Sequence, residues 1–110
     1  MTMAADLESV KADLAARIAA IDVRAPYLRG AELAVAVDEI RRIAHQAGFN
    51  PTVTVAHFIE AALSRGDGRD GRGVLMHGWL AMLRDAVGAE RQDVGACDAF
   101  AAACSVRLAA

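Results

Sequence analysis

Three histidines and two cysteines are the side chains of this sequence best suited to acid–base, nucleophilic or metal chemistry. A helix that binds a metal ion places its ligands three or four residues apart, because such side chains share one face. Among the histidines, His57 with Glu60 has this spacing, and no third ligand follows at a recognisable interval. His45 is expected in the last turn of a helix, where it suits the helix dipole. We therefore expect no metal site and no catalytic histidine.

Cys97 and Cys104 lie seven residues apart in one predicted helix. Two helical turns separate them by roughly 10 Å along the axis, which is too far for a disulfide within that helix. Their spacing also differs from that of a zinc knuckle. We expect two reduced, buried thiols that pack as small apolar side chains, with an intermolecular disulfide as the alternative.

The segment Gly66-Asp-Gly-Arg-Asp-Gly71 has the glycine spacing of a dinucleotide-binding fingerprint. That fingerprint follows a β-strand and leaves backbone amides free to bind a pyrophosphate. Here the segment follows a predicted helix, and the charges of Asp67 and Asp70 would repel phosphate. The segment also lacks the closing glutamate of a calcium loop. We expect an exposed linker over 66–73 and no cofactor.

The stretch from Val74 to Val87 is apolar around most of its circumference when it is drawn as a helix. At about 100° per residue, its titratable side chains fall on one narrow stripe. Such a helix is typical of the centre of a domain, and a ligand could bind beside it. The candidate ligand-binding residues are His77, Arg84 and Asp85 as polar contacts and Trp79 as a wall, together with Met76 and Met82.

Four further helices are predicted from apolar residues that recur at three- and four-residue intervals. They span about residues 6–21, 30–47, 51–63 and 93–108. Thr52-Val-Thr-Val55 alternates as a short strand would, but we predict a helix there because no partner strand is visible. The predicted helix ends are N-caps at Asp6, Asn50 and Asp93 and a C-terminal glycine at Gly48.

The turn around Gly48 resembles the first half of a helix-turn-helix motif. In Ile43-Ala-His-Gln-Ala-Gly-Phe-Asn50, Ala44 and Gly48 have the separation that lets the two helices of that motif pack closely. The resemblance covers residues 43–58 and implies that the second helix would enter a DNA groove. That helix has no arginine or lysine before Arg65 to grip a groove, so nucleic acid is not an expected partner.

The composition favours a small helical protein and argues against a function that needs a strongly charged surface. Of the 110 residues, 55% are hydrophobic, and the formal net charge is −2. The twelve basic and fourteen acidic residues are spread along the chain, which leaves no basic field for nucleic acid. Because neither a signal peptide nor an apolar run of ~18 residues is visible, we expect a cytoplasmic protein without membrane contact. The excess of arginine over lysine is typical of GC-rich bacterial genomes.

The sequence thus predicts an all-α fold, a single domain over 1–110 with about five helices and the apolar helix 74–87 at its centre. A chain of this length has few helices to surround a central one, so a second copy could cover its far side. We expect a protein–protein interaction or homodimeric adaptor or regulatory module without catalytic activity. The alternatives are a small-molecule-binding domain with a pocket beside helix 74–87 and a helix-turn-helix DNA-binding regulator.

Overall fold

The computed structural model of this protein describes residues 3–65 and 73–109, with the side chains of residues 6–65 and 76–109. These residues form five α-helices and one 3-10 turn at Ala25–Tyr27, which confirms the all-α prediction. No helix in the described ranges has the length and apolarity needed to cross a bilayer. The helices are α1 (Met3–Arg24), α2 (Gly30–Ala47), α3 (Asn50–Ser64), α4 (Gly73–Val87) and α5 (Val94–Ala109).

Two helices, α2 and α4, pack against both α1 and α3, and α5 packs on α3. The helices α1 and α2 are antiparallel, because the start of α1 lies beside the end of α2. Leu7 and Ile43 line one end of the groove between them, and Ala20 and Ala36 line the other. This arrangement makes α3 the helix with the most neighbours and leaves α5 at the edge of the molecule.

The helix predicted over 74–87 forms with one additional residue, and its apolar side is buried within the single chain. Trp79, Leu80 and Leu83 are at most 1% exposed and pack in the same core as Val55 and Ile59 of α3. Burial of each such side chain stabilises the fold by about 1.5–3 kcal/mol. The cover for α4 therefore comes from α1 and α3, and its polar residues remain at the surface.

The turn between α2 and α3 forms as the glycine at position 48 predicts. Gly48 has φ 80°, in the left-handed region, and its N–H donates to the His45 carbonyl at 3.2 Å. The N–H of Phe49 donates to the Ala44 carbonyl at 2.8 Å, which completes a Schellman motif. Phe49 is buried, so this turn also anchors the start of α3 in the core.

Two of the three predicted N-caps are wrong. The helix α1 begins at Met3, so Asp6 lies in its first turn and not before it. The turn at Gly48 brings the chain into helical conformation at Asn50, and the Asn50 side chain donates instead to the Gln92 carbonyl at 3.4 Å. The N-cap predicted at Asp93 is confirmed, because Asp93 Oδ1 accepts the N–H of Ala96 at 2.9 Å at the start of α5.

The position of α3 yields a test of the core. Ile59→Ala removes a side chain that is 0% exposed, and we expect it to lower the free energy of unfolding by about 2–5 kcal/mol because it leaves a cavity. The control is Val35→Ala, since Val35 on α2 is 68% exposed and its loss should change stability by less than about 0.5 kcal/mol. Urea denaturation followed by circular dichroism measures both; equal effects would contradict this packing.

The N-cap of α5 predicts a pH dependence. The N–H of Ala96 and then the Arg91 guanidinium lower the pKa of Asp93 below its ordinary value of 3.8. A carboxylate with a lowered pKa stabilises the folded state above its unfolded pKa, and this contribution is lost as the pH falls through the folded pKa. Asp93→Asn keeps a capping oxygen without charge. We expect the variant to have a lower urea midpoint than wild type at pH 7, and this difference should shrink as the pH falls below 3.8. Val35→Ala, which removes no titratable group, should show no such convergence.

Candidate functional site

The polar residues predicted on α4 lie at the surface, where two of them meet an aspartate of α1. His77 Nδ1 is 2.9 Å from Asp22 Oδ1, and Arg84 Nη2 is 3.6 Å from Asp22 Oδ2. Asp85 is exposed on the same side of α4. Asp22 lies 55 residues before His77, and no sequence pattern links the two. The structure thus brings His77 and Arg84 together around a residue that the sequence analysis missed.

A carboxylate beside a histidine is the arrangement that orients a general base. Here the His77 side chain is 65% exposed, and Asp22 is shared with Arg84. The cavities between α1 and α2 are lined by other residues. A histidine this exposed to solvent neither excludes water nor positions a substrate by itself. The group is best described as a surface ion pair between α1 and α4, of a kind that contributes little stability.

Trp79 lies apart from these polar residues, in contact with α5. It is 1% exposed, and the Arg107 guanidinium lies 5.7 Å from the centre of its ring. Arg107 Nε also donates to the Met82 sulfur at 3.2 Å. The structure therefore does not bring Trp79 together with His77, Arg84 and Asp85. Arg107 thus contacts both of the side chains that were predicted as walls of a pocket, Trp79 and Met82.

Gly78 makes room for this contact. A Cβ atom at position 78 would lie 2.5 Å from Arg107 Nη1, so the guanidinium rests directly on the α4 backbone. The sequence does not reveal this contact, because neither Gly78 nor Arg107 belongs to a local pattern that points to the other. The contact turns the one basic side chain of α5 inward and joins the end of α5 to α4.

The pair His57 and Glu60 lies beside an arginine of α2. His57 Nδ1 is 4.0 Å from Glu60 Oε2, and Arg41 Nε is 3.6 Å from Glu60 Oε1. Arg41 also hydrogen-bonds Asp38, which lowers the pKa of that carboxyl. A guanidinium among these carboxylates neutralises the charge that a metal ion would need. Within residues 3–65 and 73–109, no three His, Cys, Asp or Glu side chains are placed to share a metal ion.

Both cysteines are free thiols; Cys104 is buried as predicted, whereas Cys97 is only half-buried. Cys104 is fully buried against α3, and burial raises the pKa of its thiol to about 11. At neutral pH this thiol is protonated, and a protonated thiol is a poor nucleophile. Cys104 therefore packs as an apolar side chain. The glycine segment 66–71, with Asp67 and Asp70, lies outside the described residues.

The side of α5 that faces solvent carries no charge at its centre. Gly95, Ala99, Ala102, Val106 and Ala109 follow at alternating four- and three-residue intervals and are all exposed; we call them the α5 outer face. Val106 is 73% exposed. The opposite side of α5, with Cys104 at its centre, packs on α3. The exposed side of α2 differs, since it carries Glu32, Glu39, Arg42, His45 and Gln46.

No family model, curated protein or solved structure matches this chain. The α5 outer face and the surface pair of His77 with Asp22 are therefore interpreted from their own geometry. Of these two, the outer face is the larger feature, and its composition departs further from that of a solvated helix.

The contact between Gly78 and Arg107 can be tested through Trp79, the single tryptophan of the chain. Gly78→Ala should displace the guanidinium and change the near-ultraviolet circular dichroism of Trp79. Stability should change by less than about 1 kcal/mol, because the higher helix propensity of alanine offsets the lost cation–π contact. In an Arg107→Ala background the same substitution meets no guanidinium and should leave the Trp79 spectrum unchanged. An unchanged spectrum in the wild-type background would contradict the contact.

Proposed function

We propose that this protein is a helical protein–protein interaction module without catalytic activity, and that the α5 outer face is the surface it uses. One observation carries the proposal: the five residues of the α5 outer face are exposed and uncharged, with Asp98 at their edge, while Arg107 is turned onto Trp79. An apolar patch of this kind on a small protein is typical of a binding surface. The centres of protein interfaces are likewise depleted of charged residues.

The charged residues of the other helices support the same proposal. Arg17 pairs with both Asp13 and Glu39 across α1 and α2, and Arg42 pairs with Asp38 within α2. The exposed faces of α1 and α2 therefore carry charged, solvated side chains, as is usual for exposed helix faces. This contrast with α1 and α2 supports the α5 outer face as the proposed binding surface.

The binding of a small-molecule ligand has weaker support, which comes from a groove between α1 and α2. An open groove of about 350 Å³ lies between the start of α1 and the end of α2. This volume is in the range of ligand pockets, but the groove is open to solvent. None of the residues proposed from the sequence for ligand binding lines it. Its lining consists of Asp6, Leu7, Val10, Ile43, Gln46 and Ala47.

DNA binding has less support than a protein partner or a small-molecule ligand. The helix that would act as the recognition helix is α3, which packs against α2, α4 and α5. A recognition helix needs an exposed face that can enter the major groove. Seven of the fifteen residues of α3 are buried instead, including Val55, Ala56 and Ile59.

We also propose that the protein works in the cytoplasm. Its two cysteines are free, and free thiols are usual in a reducing compartment. Fractionation of the native host, with the protein detected by antibody, tests this independently of the binding surface.

The proposed surface is tested with a charge at its centre. Ala102→Lys places an ammonium in the α5 outer face, and Asp98 four residues earlier can pair with it, so the helix should be retained. Val35→Lys is the matched control, because Val35 is 68% exposed on α2 and has Glu39 four residues later. Wild type and both variants serve as baits in native lysate, and each captured protein is then purified and its affinity measured.

We expect a partner that binds wild type and Val35→Lys equally and binds Ala102→Lys at least about tenfold more weakly, since the charge must be desolvated in the interface. The circular dichroism of the three proteins should be the same. Equal affinity of all three proteins for every captured partner would overturn the assignment of the function to α5.

A further inference from the structure

We propose that His77 is a phosphoryl-acceptor site, whose Nε2 atom takes a phosphoryl group from a phosphoramidate donor, the chemical class that includes a phosphorylated histidine. The site lies where α1 meets α4 and does not involve the α5 outer face, so it goes beyond the proposed interaction function. Three observations carry it: the contact of His77 with Asp22, the exposure of the imidazole, and the position of Arg84.

The contact with Asp22 determines which nitrogen of His77 reacts. His77 Nδ1 is 2.9 Å from Asp22 Oδ1 and 3.1 Å from Oδ2. A carboxylate only accepts hydrogen bonds, so the proton of the neutral imidazole lies on Nδ1 and the lone pair on Nε2. The carboxylate also stabilises the positive charge that develops on the ring when Nε2 forms a bond. Asp22 is thus a positioning residue that prepares Nε2 as the nucleophile.

The exposure of His77 suits an acceptor, although it does not suit a catalyst. Its side chain is 65% exposed. Both contacts with Asp22 use Nδ1, so Nε2 is the nitrogen that they leave for a reaction. An acceptor reacts once with each donor and needs no pocket of its own. It does need open access, because a donor must bring its phosphorus atom in line with the Nε2 lone pair.

Arg84 supplies the positive charge that a phosphoryl group requires. It follows His77 by seven residues, or two helical turns, on the same face of α4. The two side chains share one carboxylate oxygen, since Asp22 Oδ2 is 3.1 Å from His77 Nδ1 and 3.6 Å from Arg84 Nη2. A guanidinium binds phosphoryl oxygens with its N–H donors. Asp85 is exposed on this side as well, but it lies one residue beyond Arg84 and has the shorter side chain.

The transfer balances with phosphoramidate as the donor. The Nε2 lone pair attacks phosphorus and forms a new N–P bond, while the N–P bond of the donor breaks and its nitrogen leaves with the electron pair as ammonia. His77 keeps the proton on Nδ1, so the modified ring is positively charged beside the Asp22 carboxylate. The negative phosphoryl oxygens then have the Arg84 guanidinium as their cation. One N–P bond replaces another, and no further reactant is needed.

His57 provides a matched comparison within the same chain. Its side chain is 62% exposed, nearly as much as that of His77. Its Nδ1 is 4.0 Å from Glu60 Oε2, which is beyond hydrogen-bond distance. The two histidines therefore share their accessibility and differ in the carboxylate that orients the ring. A difference in their reaction rates reports this contact and not exposure.

The reaction is tested by incubating the purified full chain with potassium phosphoramidate. Mass spectrometry of peptides at neutral pH measures the rate at each histidine, and phosphorus nuclear magnetic resonance identifies the modified ring nitrogen. We expect His77 to react at Nε2 and at least about threefold faster than His57, a factor in line with the small energies of exposed charged contacts. Asp22→Ala should remove this advantage and yield product at Nδ1 as well, while the rate at His57 stays unchanged.

Arg84→Gln separates recognition of the phosphoryl group from general reactivity of the ring. This variant should slow phosphorylation of His77 by about threefold, because the donor is an anion. It should not change the reaction of His77 with diethyl pyrocarbonate, an uncharged reagent that acylates imidazole. Circular dichroism and urea midpoints verify that both variants are folded, and the rate at His57 is their internal reference.

Equal phosphorylation of His77 and His57 in wild type, or a product at Nδ1 of His77, would overturn the acceptor site. An Arg84→Gln variant that slows both reagents alike, or neither, would overturn its specificity for a phosphoryl group. Faster reaction at Nε2 of His77, with loss of the advantage in Asp22→Ala, supports the inference. None of these results depends on the α5 outer face, so they are independent of the capture experiment with Ala102→Lys.

Discussion

The packing of α3 against three other helices is the constraint on which the rest of the structure depends. Val55 and Ile59 are fully buried, and Ala56 and Ala62 let neighbouring helices approach closely. The left-handed glycine at Gly48 sets the direction in which α3 leaves α2. Because α2, α4 and α5 all bury apolar surface against α3, their positions follow from this one packing arrangement.

This arrangement buries the apolar side of α4 but leaves one side of α5 exposed to solvent. The apolar side of α4 is buried by α1 and α3, so α4 does not need a second chain. The edge helix α5 packs on α3 through the side that carries Cys104, and its opposite side is exposed although its centre is apolar. A helix that is weakly polar on both sides can pack on two sides at once. The helix with an exposed apolar side is therefore α5 and not α4.

The charged groups of the structure have a smaller part in stability. Pairs such as Arg84 with Asp22 and Arg41 with Asp38 lie at or near the surface, where water screens them and their net contribution is small. Arg107 is different, because it spreads its guanidinium over Trp79 and leaves α5 without an exposed cation.

Much of the fold could be predicted from the sequence because helices depend on local order. The recurrence of apolar residues determined the five helices, Gly48 determined the end of α2, and Asp93 determined the start of α5. The prediction of an N-cap at Asn50 was wrong, because the turn before Asn50 sets where α3 begins. Sequence alone also determined that Cys97 and Cys104 cannot bridge within their helix.

The candidate site was less predictable, since it depends on contacts between distant residues. Only the tertiary structure decided that Asp22 meets His77 across 55 positions, that Arg107 covers Trp79, and that α5 is the helix left with an apolar exposed side, because packing between helices depends on how all five fill the same volume.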